Sequence, residues 1–225
     1  MMPTRTETVI KAVLFDLYGT LAYEARSEDS FKVKALKQLV NYLNSLSYDV
    51  ELESFLRVYN KNLEEALRDI KDTLNEVDVM CLYWRTFKDL GINLTLTLVK
   101  ECLDIFYSTE VKCMKLYPDV IPTLTSLRAS KLKLAIVSNA SLRFEYVISH
   151  LEISKYFDAL VASYKVTKVK PHPTIFAKAL SLLNVRPEET IMVGDTYETD
   201  IVAAKLMGMK AILIAREESV KERAK

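Results

Sequence analysis

The chain has 225 residues, of which 50% are hydrophobic and 27% are charged, a composition that is ordinary for a globular protein with a substantial core. Its 31 basic and 30 acidic residues give a formal net charge of +1, which offers no reason to expect nucleic acid or an anionic membrane as a partner. No apolar run approaches the roughly 20 residues of a transmembrane helix, and the polar start does not resemble a signal peptide. We therefore expect a cytoplasmic protein, monomeric or homodimeric, that acts on a small-molecule substrate.

Short apolar runs predict the buried strands of a parallel sheet. They are Val9–Phe15, Leu132–Val137, Asp158–Ala162, Thr190–Val193 and Ala211–Ala215. Near-continuous Val, Ile, Leu and Ala residues are typical of strands that carry helices on both faces. Helical patterns alternate with these runs at Asp119–Ser130, Leu142–Leu151, Pro173–Asn184 and Thr199–Met207. This alternation predicts an α/β fold with a doubly wound, five-stranded, Rossmann-like parallel sheet.

A helical insertion interrupts this pattern after the first strand. Helical periodicity covers Phe31–Leu46, Ser54–Leu74, Val79–Leu90 and Leu96–Phe106. We therefore predict a catalytic core of residues 1–21 and 113–225, and a helical cap of residues 22–112. Because the insertion leaves the chain just after the first strand, we expect it over the carboxyl edge of the sheet, where α/β folds bind ligands.

Polar side chains collect near the carboxyl ends of the predicted strands. They are Asp16 after the first strand, Ser138 and Asn139 after the second, Asp195 and Asp200 after the fourth, and Lys170 upstream of the fourth. Any one of them could be a turn or cap residue. Together, at corresponding strand ends, they are expected to converge on one edge of the sheet.

Such a group of side chains suits hydrolysis through a covalent intermediate on a carboxylate. A carboxylate can attack an electrophilic phosphorus or carbon atom. Two further acids would offer the oxygen ligands that Mg²⁺ prefers. The metal, the lysine and the Ser and Asn donors would stabilise anionic oxygens on the substrate.

These motifs resemble those of the haloacid dehalogenase superfamily of hydrolases, in the same order and over essentially the whole chain. The stretch "LFDLYGTL", which contains Asp16 and Thr20, resembles the first motif. The second to fourth motifs are matched by Ser138 with Asn139, by Lys170, and by Asp195 with Asp200. The helical insertion resembles the cap that some members carry after the first motif.

The resemblance implies a role for each of these residues. It implies a nucleophilic Asp16 assisted by the catalytic Lys170, and substrate contacts from Thr20, Ser138 and Asn139. It also implies a Mg²⁺ site formed by Asp16, Asp195, Asp200 and the main-chain carbonyl of Tyr18.

Tyr18 departs from the phosphatases of this superfamily, which carry an aspartate two residues after the nucleophile as general acid and base. Tyrosine has a reference pKa of about 10 and is a poor substitute for that acid near pH 7. In this respect the first motif resembles the 2-haloacid dehalogenase branch, in which Asp16 would displace halide without a metal.

Other positions depart from the dehalogenase branch instead. That branch lacks the metal-binding acid of the fourth motif, whereas this chain keeps Asp195 and Asp200. Phe176 and Tyr197 stand where that branch has a tyrosine and an asparagine. We therefore favour a Mg²⁺-dependent phosphatase that acts on a small phosphorylated metabolite through an aspartyl-phosphate on Asp16.

Two alternatives remain open on the sequence. One is a metal-independent 2-haloacid dehalogenase, and the other is a non-catalytic interaction protein with a vestigial site. If the protein is a phosphatase, the missing acid matters most for leaving groups of high pKa, since general acid–base catalysis contributes about 10²–10⁴-fold. Aryl, acyl and phosphoanhydride leaving groups need less of that assistance.

Overall fold

A computed structural model of the protein describes residues 8–25 and 31–216. The described residues form two compact units. The first contains residues 8–23, 116–139 and 153–216, and the second contains residues 24–25, 31–115 and 140–152. Within the described ranges, no helix is both long enough and apolar enough to cross a membrane.

Strands and helices alternate in the first unit, and helices dominate the second. The strands are β1 (Ala12–Phe15), β2 (Ala22–Glu24), β3 (Met114–Leu116), β4 (Lys133–Ser138), β5 (Ala159–Ala162), β6 (Thr190–Gly194) and β7 (Lys210–Leu213). The α-helices are α1 (Phe31–Ser45), α2 (Leu52–Thr73), α3 (Val79–Asp89), α4 (Leu96–Glu110), α5 (Val120–Ala129), α6 (Arg143–Leu151), α7 (Ser163–Val166), α8 (Pro173–Leu183) and α9 (Ala203–Leu206). Short 3₁₀ turns lie at Val111–Cys113, Ser154–Tyr156 and Pro187–Glu189, and a π-helix covers Tyr197–Val202.

A parallel sheet of five strands, in the order β5-β4-β1-β6-β7, forms the first unit's centre. The middle strand, β1, consists of four buried apolar residues, as expected for a strand covered on both faces. The first strand of the chain lies in the middle of the sheet, and the later strands are added first on one side of it and then on the other, as in a doubly wound fold. The structure thus confirms the predicted α/β class, and every predicted strand lies in the sheet with slightly shifted bounds. Strands β2 and β3 pair separately in a two-stranded sheet.

The register of the sheet aligns the carboxyl ends of its middle strands. Phe15 at the end of β1 pairs with Ile136 in β4 and with Val193 in β6. The residues that follow these positions therefore leave the sheet at one edge. Asp16 follows β1 directly, while Ser138 and Gly194 end β4 and β6.

The second unit is built on two helix pairs. Helix α1 packs along α4, and α2 packs against α3. Their shared core is rich in aromatic rings, of which Phe55, Tyr83 and Phe87 are fully buried and in mutual contact. All four helices predicted for this region are present, with ends within four residues of the predicted ones.

This unit extends beyond the predicted insertion of residues 22–112, because it also takes in helix α6. Arg143, at the start of α6, forms ion pairs with Glu110 at 2.7 Å and with Glu24 at 2.8 Å. Further along α6, the hydroxyl of Tyr146 donates to the carboxylate of Asp104 in α4. These bonds join α6 to the second unit, although the predicted boundaries place it in the core.

The segment after β6 differs from the single helix predicted at Thr199–Met207. It begins as a π-helix at Tyr197 and becomes the short α9 only at Ala203. Within this wider turn, the main-chain N–H of Thr196 donates to a carboxylate oxygen of Asp200 at 3.1 Å. π-Helical turns of this kind are rare and are frequently found at functional sites.

Replacing Phe55 by alanine should lower the free energy of unfolding by about 3–5 kcal/mol, since it removes a buried ring from a packed core. Chemical denaturation measures this change. Leu67→Ala in the same helix is the matched control, because Leu67 is 46% exposed. The control should cost no more than about 0.5 kcal/mol. Equal losses in the two variants would contradict the assignment of Phe55 to the core.

Candidate active site

Asp16 begins the turn after β1, and its side chain is buried. Its main-chain N–H donates to the carbonyl of Val193 at 2.9 Å, which ties the turn to β6. Its Oδ1 accepts the N–H of Leu17 at 2.7 Å. The chain reverses at Gly19, where φ is +73° and the N–H donates to the carbonyl of Ala22 at 2.8 Å. The local backbone therefore holds the Asp16 carboxylate at the end of the sheet's middle strand.

Lys170 connects Asp16 to Asp200. Its Nζ lies 3.0 Å from Oδ1 of Asp16 and 2.6 Å from Oδ1 of Asp200. Burial alone would lower the pKa of the Lys170 ammonium, but the two carboxylates outweigh burial and raise it. Burial raises the pKa of the Asp200 carboxyl, against the opposing effect of Lys170. The site thus holds a charged lysine between two acids and away from water.

A third acid, Asp195, completes the arrangement. Carboxylate oxygens of Asp16, Asp195 and Asp200 lie within 4.8 Å of one another. Lys170 compensates one of these three negative charges and leaves two, which is the charge of one divalent cation. Ligands that are all oxygen suit Mg²⁺ better than a soft metal. The residues present therefore fit a Mg²⁺ ion.

Two glycines make room for these acids. A Cβ atom on Gly19 would lie 2.5 Å from Oδ2 of Asp195, and a Cβ atom on Gly194 would lie 2.4 Å from Cγ of Asp200. No side chain could occupy either space without displacing a carboxylate. The glycines of "YGT" and "VGD" thus let the three acids approach one another.

A polar cleft of about 360 Å³ lies over this group of charges. It is lined by Asp16, Tyr18, Gly19, Ser138, Asn139, Lys170, Asp195, Thr196 and Thr199. Ser138 is fully buried, and its hydroxyl has no hydrogen-bond partner among the described residues. A buried donor without a partner beside a polar cleft is suited to an anionic ligand. Thr20, by contrast, does not line this cleft, and its buried hydroxyl also lacks a partner in the described structure.

Asn139 lines the cleft, but its amide group contacts the main chain of Lys170. The Oδ1 atom accepts the N–H of Lys170 at 2.6 Å, and Nδ2 donates to the carbonyl of Lys170 at 3.0 Å. The structure thus brings the predicted site residues together at one cleft, with two exceptions: Asp200 lies buried behind Lys170, and Thr20 does not line the cleft. The hydrogen bonds between Asn139 and the main chain of Lys170 were not indicated by the sequence.

Two further residues line the cleft without having been singled out from the sequence, and a third supports the turn that follows Asp16. Thr196 and Thr199 line the cleft, and their place between Asp195 and Asp200 in "GDTYETD" is a signal that could have identified them. Arg216 donates through Nη2 to the carbonyl of Thr20 at 2.7 Å, and through Nη1 to Asp119 at 2.7 Å. No local pattern marks Arg216, because its partner in the Asp16 turn lies 196 residues away.

Comparison with known proteins gives one family and several relatives. A family model described as haloacid dehalogenase-like hydrolase matches residues 13–214. A glyceraldehyde 3-phosphate phosphatase of Methanopyrus kandleri is 30% identical over 210 residues, which cover 92% of this chain and 85% of the relative. A ribulose-1,5-bisphosphate 5-phosphatase of Halopiger xanaduensis is 29% identical over 215 residues, with coverage of 92% and 85%. A solved 2-haloacid dehalogenase from Pseudomonas syringae has a TM-score of 0.66 at 24% identity, with coverage of 93% and 90%, and this likeness shows the fold alone.

Gly19→Ala should lower the catalytic rate constant on the order of 100-fold, because the added Cβ displaces the Asp195 carboxylate. Gly91→Ala is the matched control, since Gly91 also has a positive φ of +78° but has no atom within 4 Å of the added Cβ. Both variants should lose about 1 kcal/mol of stability from backbone strain. Steady-state kinetics and thermal unfolding measure the two effects. An active Gly19→Ala enzyme would show that the close approach of Asp195 is not required.

Proposed function

We propose that this chain, which belongs to the haloacid dehalogenase-like hydrolase family, is a Mg²⁺-dependent phosphatase of a small phosphorylated metabolite. The observation that carries the proposal is the group of three carboxylates around Lys170 at the end of β1. The two relatives described above are both named phosphatases, which favours this activity over dehalogenation. Their substrates, a triose phosphate and a pentose bisphosphate by name, suggest a phosphorylated sugar or related small compound.

Asp16 is the nucleophile in this proposal. Its carboxylate oxygen forms a bond to phosphorus while the bond from phosphorus to the leaving-group oxygen breaks, which gives an aspartyl-phosphate. A water molecule then attacks phosphorus, the bond to Asp16 breaks, and inorganic phosphate is released. The leaving-group oxygen takes a proton from solvent water, and the attacking water gives a proton back to solvent, so the net reaction consumes one water molecule.

The surrounding residues hold the reacting groups. Lys170 neutralises part of the charge on Asp16 and keeps the carboxylate in place, and the Ser138 hydroxyl would donate to a phosphoryl oxygen. A Mg²⁺ ion held by Asp16, Asp195, Asp200 and the carbonyl of Tyr18 would supply positive charge against the phosphoryl oxygens. Fixed donors of this kind stabilise the charge that develops in the transition state.

A 2-haloacid dehalogenase is the second candidate, and Tyr18 is the residue that favours it, since it lines the cleft beside Asp16. Two observations weigh against it. Phe176, at a position where that branch has a tyrosine, is fully buried in the core of the first unit. The group of Asp16, Asp195 and Asp200 also carries two negative charges more than Lys170 compensates, which is unfavourable at a largely buried site and would serve no purpose in a reaction without a metal.

A paired assay on one preparation should show Mg²⁺-dependent release of p-nitrophenol from p-nitrophenyl phosphate. It should show no halide release from 2-chloropropionate in the presence of EDTA. Asp16→Asn should lower the phosphatase rate by at least about 10⁴-fold, as expected when a covalent nucleophile is removed. Glu188→Gln is the control, because Glu188 lies just before β6, at the opposite end of that strand from the cleft. Halide release without metal would favour the dehalogenase.

The rate should also depend steeply on the leaving group, because Tyr18 replaces a carboxylic acid. Acetyl phosphate and aryl phosphates should react faster than glycerol phosphate, and Tyr18→Asp should raise the glycerol phosphate rate by about 10²-fold or more while changing the aryl rate much less. Comparison of kcat/KM across these substrates measures the effect. Tyr18→Phe should keep the wild-type ratio of rates. A loss confined to glycerol phosphate in Tyr18→Phe would show instead that the phenol itself supplies the proton.

A further inference from the structure

Asn139 and Lys170 are joined by a pair of hydrogen bonds that resembles the pairing of two strands. The carboxamide of Asn139 accepts from the N–H of Lys170 at 2.6 Å and donates to its carbonyl at 3.0 Å. Both main-chain polar groups of Lys170 are therefore satisfied by one side chain. The two residues are 31 positions apart, so this contact connects the end of β4 with the segment before α8.

The main chain at Lys170 is supported by Asn139 and by a neighbouring turn, in which the N–H of His172 donates to the carbonyl of Val169 at 2.9 Å. Lys170 lies between α7 and α8, outside any helix or strand. Its side chain is only 2% exposed and therefore has little room to compensate for a shift of the main chain, so the position of the ammonium depends on the position of the main chain. Yet the ammonium lies at 3.0 Å from Asp16 and at 2.6 Å from Asp200. Such contacts require the Cα atom of Lys170 to be held accurately.

We propose that Asn139 is a positioning residue, which acts on the reaction by holding the main chain of Lys170 rather than by binding substrate. The inference rests on the proposed function only in that Lys170 assists Asp16. This positioning role for Asn139 takes the place of the substrate contact that the sequence resemblance implies for it. A side-chain amide still has one further N–H and one further lone pair, so a contact with substrate is the alternative that an experiment must separate.

The experiment is a double-mutant cycle with Asn139→Ala, Lys170→Met and the double variant, assayed with Mg²⁺ and p-nitrophenyl phosphate. Asn139→Ala alone should lower kcat by about 10–100-fold and leave KM and the inhibition constant of inorganic phosphate within about twofold. In the Lys170→Met background the same substitution should have no further effect, because the group that it positions is gone. Increased KM and phosphate inhibition constants, with equal losses of kcat/KM in both backgrounds, would identify a substrate contact and overturn the proposal.

A second measurement does not depend on activity. Amide hydrogen exchange at Lys170 should be slow in the wild type and at least about tenfold faster in Asn139→Ala, because its N–H loses its acceptor. Asn44→Ala is the matched control, since Asn44 holds the N–H and carbonyl of Val50 in the same way, at 2.9 and 3.2 Å, in the second unit. That variant should accelerate exchange at Val50 and keep the wild-type kcat.

The two measurements separate the two proposals. Unchanged exchange at Lys170 in Asn139→Ala would overturn the positioning role, even in an active phosphatase. Absence of Mg²⁺-dependent phosphate release from the wild-type protein would overturn the proposed function. In that case, faster exchange at Lys170 would still support the bond between Asn139 and the Lys170 main chain.

Discussion

The site depends on the burial of Lys170 between Asp16 and Asp200. Removing ions from water costs several kcal/mol for each ion, and only close, well-aligned partners offset this cost. Here the ammonium lies within 3.0 Å of both carboxylates, and its own main chain is held by a side-chain amide. An ion pair that is so deeply buried is weak evidence of stability but is well suited to a fixed electrostatic environment for catalysis.

The order of the parallel sheet brings these charges together. Strand β1 lies between β4 and β6, so the residues that follow the three strands leave the sheet side by side. Asp16 follows the first of them, Ser138 ends the second, and Gly194 precedes Asp195 at the end of the third. Since helices cover such a sheet on both faces, its carboxyl edge is where polar groups can meet a ligand.

Tyr18 affects only one of two parts of the proposed reaction, the transfer of a proton to the leaving group and not the stabilisation of the phosphoryl group. The groups around Asp16 are suited to stabilising a phosphoryl group and its negative charge, and this part of the reaction does not require the side chain at position 18. Proton transfer to the leaving group does require a donor, and a neutral phenol is a weaker one than a carboxylic acid. We therefore expect the charged residues of a phosphatase to act here on substrates whose leaving groups depart as stable anions.

Much of this protein could be predicted from the sequence, because the relevant signals are local. Continuous apolar runs identified every strand of the parallel sheet, and helical periodicity identified the helices of the second unit. The acids and the lysine stood in short motifs next to those strands, so their convergence followed from the rule that parallel strands end together. The π-helix after Asp195 was not predicted, because its hydrogen bonds span five residues instead of the four of an α-helix, a difference that leaves little trace in the sequence.

Other features were decided only by the tertiary structure. The side-chain amide of Asn139 bonds to the main chain of Lys170, 31 residues away. Arg216 bonds to the carbonyl of Thr20, 196 residues away. Neither contact leaves a pattern in the neighbouring sequence. The assignment of α6 to the second unit depends likewise on Arg143 reaching Glu110, 33 residues away. Periodicity and motifs determine which elements form and which residue types are available, whereas the partners of each polar side chain are determined by how those elements pack.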